Sequence, residues 1–176
     1  LNEFKIIFWW EWAHRQLGRL IGLFVMIPMI YFSLKNGLWI IKKYGIIFVL
    51  ICIQGFLGWY MVSSGLVNRV DVSHYRLSIH LFTAFIILSL VFWQLLQLTN
   101  LKAYYIPIKL NSIRIFLFLL FLQLIIGAFV SGMDAGKVYN TWPLMGSSFF
   151  PDDSRVYEFF SFNIFEDPSL VQFIHR

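Results

Sequence analysis

Glu11, His14, Gly18 and Gly22 follow one another at steps of three, four and four, and Arg76, His80 and Ala84 at two steps of four. On a helix each set shares one face. A neutral imidazole is a good ligand for haem iron, and two imidazoles from separate helices can clamp a porphyrin between them. The macrocycle is flat and wide, so small residues must lie beside the ligands. Gly18 and Gly22 stand below His14, and Ala84 stands below His80. Propionates need cations at the wet end. Arg76, one turn outward of His80, is placed for this, and Arg15 is a second candidate. Glu11, one turn from His14, has the chemistry of a base or electrostatic stabiliser beside a reacting haem edge.

Each of these residues also has a plainer reading. Gly18-x-x-x-Gly22 is a pattern of close helix packing, and a membrane histidine can serve as an interhelical hydrogen-bonding group. Glu11 can be an interfacial carboxylate held by Arg15 at i+4, and Arg19 can snorkel to the interface. His74 reads as solvated in an outer turn, and Asp134 and Lys137 read as loop surface. Gln54 and Gln123, each four residues before a glycine (Gly58 and Gly127), read as glue between helices. Two histidines at matched depth, each above small residues, favour haem over these alternatives.

The elements that must position these groups are membrane spans. Hydrophobic residues make up 59% of the 176 and charged residues only 13%, whereas a soluble domain is about half apolar and one quarter charged. Continuous apolar runs exclude a transmembrane barrel, whose strands alternate over about ten residues. Four runs are long enough to cross about 30 Å of hydrocarbon: His14–Leu34, Tyr44–Val67, Leu77–Leu101 and Ile115–Met133. A fifth opens at Val171-Gln172-Phe173-Ile174-His175-Arg176. The fold class expected is an all-α integral membrane protein with four transmembrane helices and the start of a fifth.

Topology accounts for the net charge of +5 without nucleic acid as a partner. Lys35, Lys42 and Lys43 join the first two spans, and Lys102, Lys109 and Arg114 join the third and fourth. The long segment after the fourth span holds Asp134, Asp152, Asp153, Glu158, Glu166 and Asp167. By the positive-inside rule the first two connections face the cytoplasm, and the 134–170 loop faces outward. Trp9, Trp10, Trp12 and Trp142 suit an interfacial belt. The lone Cys52 cannot form an intrachain disulfide and is assigned no role.

Glu11-Trp12-Ala13-His14-Arg15 and Gln172-Phe173-Ile174-His175-Arg176 enter their spans from the same side, 161 positions apart. This echo predicts a tandem repeat of helical bundles. Residues 1–101 then form most of a first four-helix bundle and 102–114 a cytoplasmic-side connection. Residues 115–176, with the outer loop 134–170, begin a second bundle.

Five motifs carry a resemblance over nearly the whole chain. They are Glu3 to Arg15 (Glu-Phe-Lys-x-x-Phe-Trp-x-Glu-x-x-His-Arg), Gln54 to Leu66, Tyr75-Arg76-Leu77-x-x-His80-Leu81, Tyr139 to Met145 (Tyr-Asn-Thr-Trp-Pro-Leu-Met) and Val171 to Arg176. Together they resemble haem A synthase of the alphaproteobacterial and mitochondrial type. The resemblance implies two tandem four-helix bundles, of which this chain lacks the first and last helices. It also implies oxidation of the C8 methyl of haem O to the formyl group of haem A. Glu11 would be the carboxylate needed for oxidation. His14 and His80 would be iron ligands in the substrate pocket, with Arg15, Arg76, Gly18 and Gly22 around them. His175 would ligate the iron of a haem b cofactor whose other ligand lies beyond Arg176.

The implied setting is a multi-pass protein of the bacterial inner membrane, or of the mitochondrial inner membrane in a eukaryote. Its implied partners are the bilayer, haem O, haem O synthase and an electron acceptor, with a homo-oligomer left open. The competing function is a di-haem cytochrome b that only relays electrons, which leaves Glu11 and the glycine slot unexplained. A transporter would place its polar groups deeper and break its helices there. The Tyr139 to Met145 motif is expected to fold over the haem pocket or to contact a partner.

Overall fold

Length and apolarity dictate the architecture. The computed structural model describes residues 2–65, 72–99 and 109–176. Its helices are α1 (Asn2–Asn36), α2 (Trp39–Gly65), α3 (His74–Leu98), α4 (Leu110–Gly132) and α5 (Pro168–His175). The stretches Phe8–Asn36, Trp39–Ser63, His74–Leu98 and Leu110–Gly132 are long and apolar enough to cross a membrane. Most large apolar side chains on these helices face outward, Phe24 and Phe118 among them. Such faces suit lipid, where a helix satisfies its own backbone polar groups. The all-α membrane class is as expected, and no strand forms among the described residues.

Helix ends differ from expectation for local reasons. The first helix starts at Asn2, twelve residues before His14. The Arg15 guanidinium pairs with Glu11 one turn away, which offsets the cost of carrying both charges near the interface. The helix also continues through Pro28. It stops at a two-residue turn, where Gly37 takes φ +101° and donates its N–H to Ser33 O at 2.9 Å. That backbone region suits glycine, which has no Cβ to clash. The third and fourth helices start at His74 and Leu110, earlier than Leu77 and Ile115. The expected ends at Val67 and Leu101, and Lys102, lie outside the described residues.

Packing is sequential: α1 on α2, α2 on α3, α3 on α4 and α4 on α5. The tightest approach between helices at a glycine is at Gly132, where an added Cβ would lie 2.9 Å from both Cα and Cβ of His74. His74 is therefore buried, which corrects its reading as solvated. Its ring meets Phe129 edge-on at 5.2 Å, and its Nε2 lies 4.0 Å from Glu166 Oε2. A core of Ile126, Phe129 and Val171 joins α4 to α5.

The segment 134–170 is folded. It contains 3-10 turns at Ala135–Lys137, Glu158–Phe160 and Phe162–Phe165. Asp167 ends it by accepting from Ser169 N–H at 2.8 Å and Leu170 N–H at 3.3 Å. With Pro168 in the first turn, this is a standard helix start. Tyr75 OH donates to Glu166 Oε1 at 2.8 Å, tying the loop to the start of α3. Asp134 and Lys137 pair at the surface at 2.9 Å, as expected.

Candidate functional site

His14 lies twelve residues into α1, which begins at Asn2, and His80 six residues into α3, which begins at His74. His14 on α1 is exposed and His80 on α3 half-buried, and they are close enough for a charge on one to be felt at the other. Beneath His14 the α1 face is open. A Cβ at Gly18 would meet nothing within 4 Å, and one at Gly22 only Ile51 Cγ2 at 4.0 Å. These two glycines are therefore not packed tightly against a neighbouring helix among the described residues. Further inward, α1, α2 and α3 enclose an apolar cleft of about 610 Å³ lined by Phe24, Pro28, Phe32, Ile47, Val91 and Leu95, among others.

The charged groups around this face are already engaged. Arg15 Nη2 donates to Glu11 Oε1, so the plainer reading of Glu11, a carboxylate held at i+4, describes its contact here. The pair keeps a carboxylate one turn outward of His14. The Arg76 guanidinium lies over the Tyr60 ring at 4.8 Å, which fixes a cation between the end of α2 and the start of α3. Arg19 Nη1 donates to Gln16 Oε1 at 3.1 Å.

Gln54 and Gln123 are indeed interhelical glue, and their partners are the histidines. Gln54 Nε2 donates to His80 O at 2.9 Å and lies 3.3 Å from His80 Nε2. Gln123 Nε2 donates to His175 O at 2.7 Å. A Cβ at Gly58 would lie 3.1 Å from His80 Cε1, and one at Gly127 would lie 3.0 Å from His175 Cε1. Nδ1 is buried without a hydrogen-bond partner in both rings. Imidazoles with unspent ring nitrogens fit haem iron. Among the described residues no group of three or more His, Cys, Asp or Glu side chains could hold a free metal ion.

The Tyr139 to Met145 motif folds over the last turn of α5, bonding Gln172 and Arg176 on either side of His175 in sequence. Tyr139 N–H donates to Gln172 Oε1 at 3.1 Å, and Gln172 Nε2 returns a bond to Tyr139 O at 2.8 Å. Arg176 donates to Tyr139 O at 2.7 Å and to Thr141 O at 2.9 Å. Met145 is buried beneath the motif and Trp142 is exposed.

Two carboxylates hold the rest of the loop. Asp152 accepts from Ser147 N–H at 2.6 Å and Ser147 Oγ at 3.0 Å, and these bonds keep its carboxyl below the usual range. Partial burial raises Asp153, but hydrogen bonds from Ser169 and Tyr139 outweigh it and leave that carboxyl lowered too. Tyr139 is pushed up by desolvation and by donating to Asp153. The sequence shows Gln54 and Gln123 as glue between helices through the recurring Gln-x-x-x-Gly spacing, but not their histidine partners, and it shows no role for Gln172 and Arg176.

Comparison with known proteins covers the whole chain. "Heme A synthase" from Pelagibacter ubique is 48% identical over 178 residues, covering 100% of this chain and 53% of the relative. The proteins of that name from Maricaulis maris and Rickettsia bellii are 45% and 44% identical, with 52% and 54% of their lengths covered. The chain thus spans about half the length of the curated relatives it matches. No solved structure matches. The model of the family described as "Cytochrome oxidase assembly protein" matches residues 1–176, and the chain belongs to that family.

Proposed function

We propose that the full-length protein carrying this chain is a haem A synthase, an oxidoreductase that converts the C8 methyl of haem O to the formyl group of haem A. The observation that carries this reading is the pair His14 and His80 on α1 and α3, with an open glycine face below His14. It lies within a chain similar over its whole length to proteins named "Heme A synthase". On this reading residues 1–101 belong to a substrate-haem bundle, 102–114 to a cytoplasmic-side connection and 115–176 to a haem b bundle. The setting is the inner membrane of a bacterium, with the 134–170 loop outside.

Within that frame His14 and His80 hold the substrate iron, and Arg76 and Arg15 offer cations to its propionates. Gly18 and Gly22 leave room for the ring. Conversion of methyl to formyl consumes one water and releases four protons and four electrons. Glu11 is the group one turn from His14 able to take a proton or to stabilise developing positive charge. For that role the carboxylate must exchange part of its contact with Arg15 for the substrate edge. His175 is assigned to the haem b site, and haem b supplies electron transfer when bound. Haem O synthase as donor of substrate, an electron acceptor and a second copy of the chain are the proposed partners.

The test is to express the full-length protein with a haem O supply and identify the extracted haems by chromatography and mass spectrometry. Haem A, or an alcohol at C8, beside haem b supports the reading. Haem b alone, at two per chain, would replace it with the electron-relay cytochrome. Glu11→Gln is expected to bind substrate and yield little haem A; unchanged output would remove Glu11 from the mechanism.

A further inference from the structure

We infer that Gln54 and Gln123 are positioning residues for His80 and His175, and that each Gln-x-x-x-Gly pair is the same imidazole-holding device used twice. The inference rests on the haem reading above and extends it to residues that do not themselves touch the iron.

The two devices share their spacing, their amide donor and their ring contact. Gln54 and Gly58 lie four residues apart on α2, and Gln123 and Gly127 lie four residues apart on α4. In each, the glutamine amide donates across to the histidine backbone carbonyl, at 2.9 and 2.7 Å. In each, the glycine one turn outward takes the Cε1 edge of the imidazole, leaving 3.1 and 3.0 Å for an added Cβ. An alanine there would push the ring by a few tenths of an ångström. The common unit is thus a helical hairpin with Gln and Gly on the first helix and His on the second. In this respect the environment of His175 matches that of His80, whereas the His-Arg echo had paired it with His14.

Chemistry explains why an amide is used. The amide NH₂ can only donate, and the carbonyl of His80 dictates which end of the Gln54 side chain faces it. Its nitrogen also lies 3.3 Å from His80 Nε2, so that ring nitrogen presents its lone pair and the proton sits on Nδ1. A neutral ring in this tautomer can bind iron through Nε2. Iron and the Gln54 amide compete for that one lone pair, whereas the carbonyl contact is compatible with both. Gln123 has the carbonyl contact alone.

The experiment uses the full-length holoprotein in detergent. Gln54→Met and Gln123→Met keep side-chain length and remove the donor; Gly58→Ala and Gly127→Ala move the ring while favouring helix. The readouts are haem content per chain, the low-spin ferric EPR signals and the midpoint potentials. Each glutamine variant is expected to shift the EPR signal and potential of its own centre, leave the other centre unchanged and weaken retention of that haem by about 10-fold or more. The alanine variant on the same helix is expected to affect the same centre. Unchanged signals in the glutamine and glycine variants, with wild-type haem content, would overturn the inference. So would equal loss of both haems without a shift in either signal, the mark of a general folding defect. A wild-type protein without any low-spin haem signal would instead sink the haem reading itself.

Discussion

Gly132 and His74 are in contact through their backbones: a Cβ on the glycine would lie 2.9 Å from the histidine Cα. This places the start of α3 and the end of α4 closer together than any side chain allows. The crossing fixes where α4 presents Gly127 to α5, and where Glu166 meets Tyr75 and His74.

Gly132→Ala should therefore force the two helices apart, since neither neighbour is a flexible side-chain tip. A destabilisation of about 1–3 kcal/mol is expected, the usual size for overpacking. Thermal unfolding of the full-length protein in detergent measures it. An unchanged midpoint would show that the helices do not cross here.

Gly18→Ala should have the opposite profile. Its Cβ enters open space, and alanine raises helix propensity by up to about 1 kcal/mol, so the fold should be unharmed. Haem content should nevertheless fall, because the methyl group occupies the face assigned to the macrocycle. Full haem retention would show that the ring does not lie against α1 at this level.

The reach of the sequence is uneven for physical reasons. Spans were legible because apolar length alone makes a membrane helix. The burial of His74 was not legible, since it depends on Gly132 arriving from another helix. Gln54 and Gln123 were visible as polar residues one turn before glycines, but their partners lie 26 and 52 positions away. The loop was least legible. Its order comes from Ser and Asp side chains bonding to nearby backbone, which leaves no periodic signal.

That loop should respond to acid in a defined window. The carboxyls of Asp152 and Asp153 are lowered in the folded loop, so their contribution is complete above the unfolded value of about 3.9. It is lost as pH falls through the lower folded values. Limited proteolysis between residues 146 and 160 should be insensitive to pH from about 7 down to about 4 and increase below that. Loosening already at pH 6 would contradict this assignment.

Arg176 should clamp the Tyr139 to Thr141 backbone through its two donors. Arg176→Lys keeps the charge but offers no planar fork to two carbonyls. A loss of about 1 kcal/mol is expected for this solvent-exposed contact, roughly fivefold faster hydrogen exchange in this segment. Unchanged exchange would show that Gln172 alone holds the motif.

The most direct test of the central claim is the identity of the haems retained by His80→Ala and His175→Ala in the full-length protein supplied with haem O. The account predicts that His80→Ala keeps haem b and loses haem O and its oxidised products, while His175→Ala loses haem b. Oxidised haem at wild-type level in His80→Ala, or loss of the same haem in both variants, would contradict it.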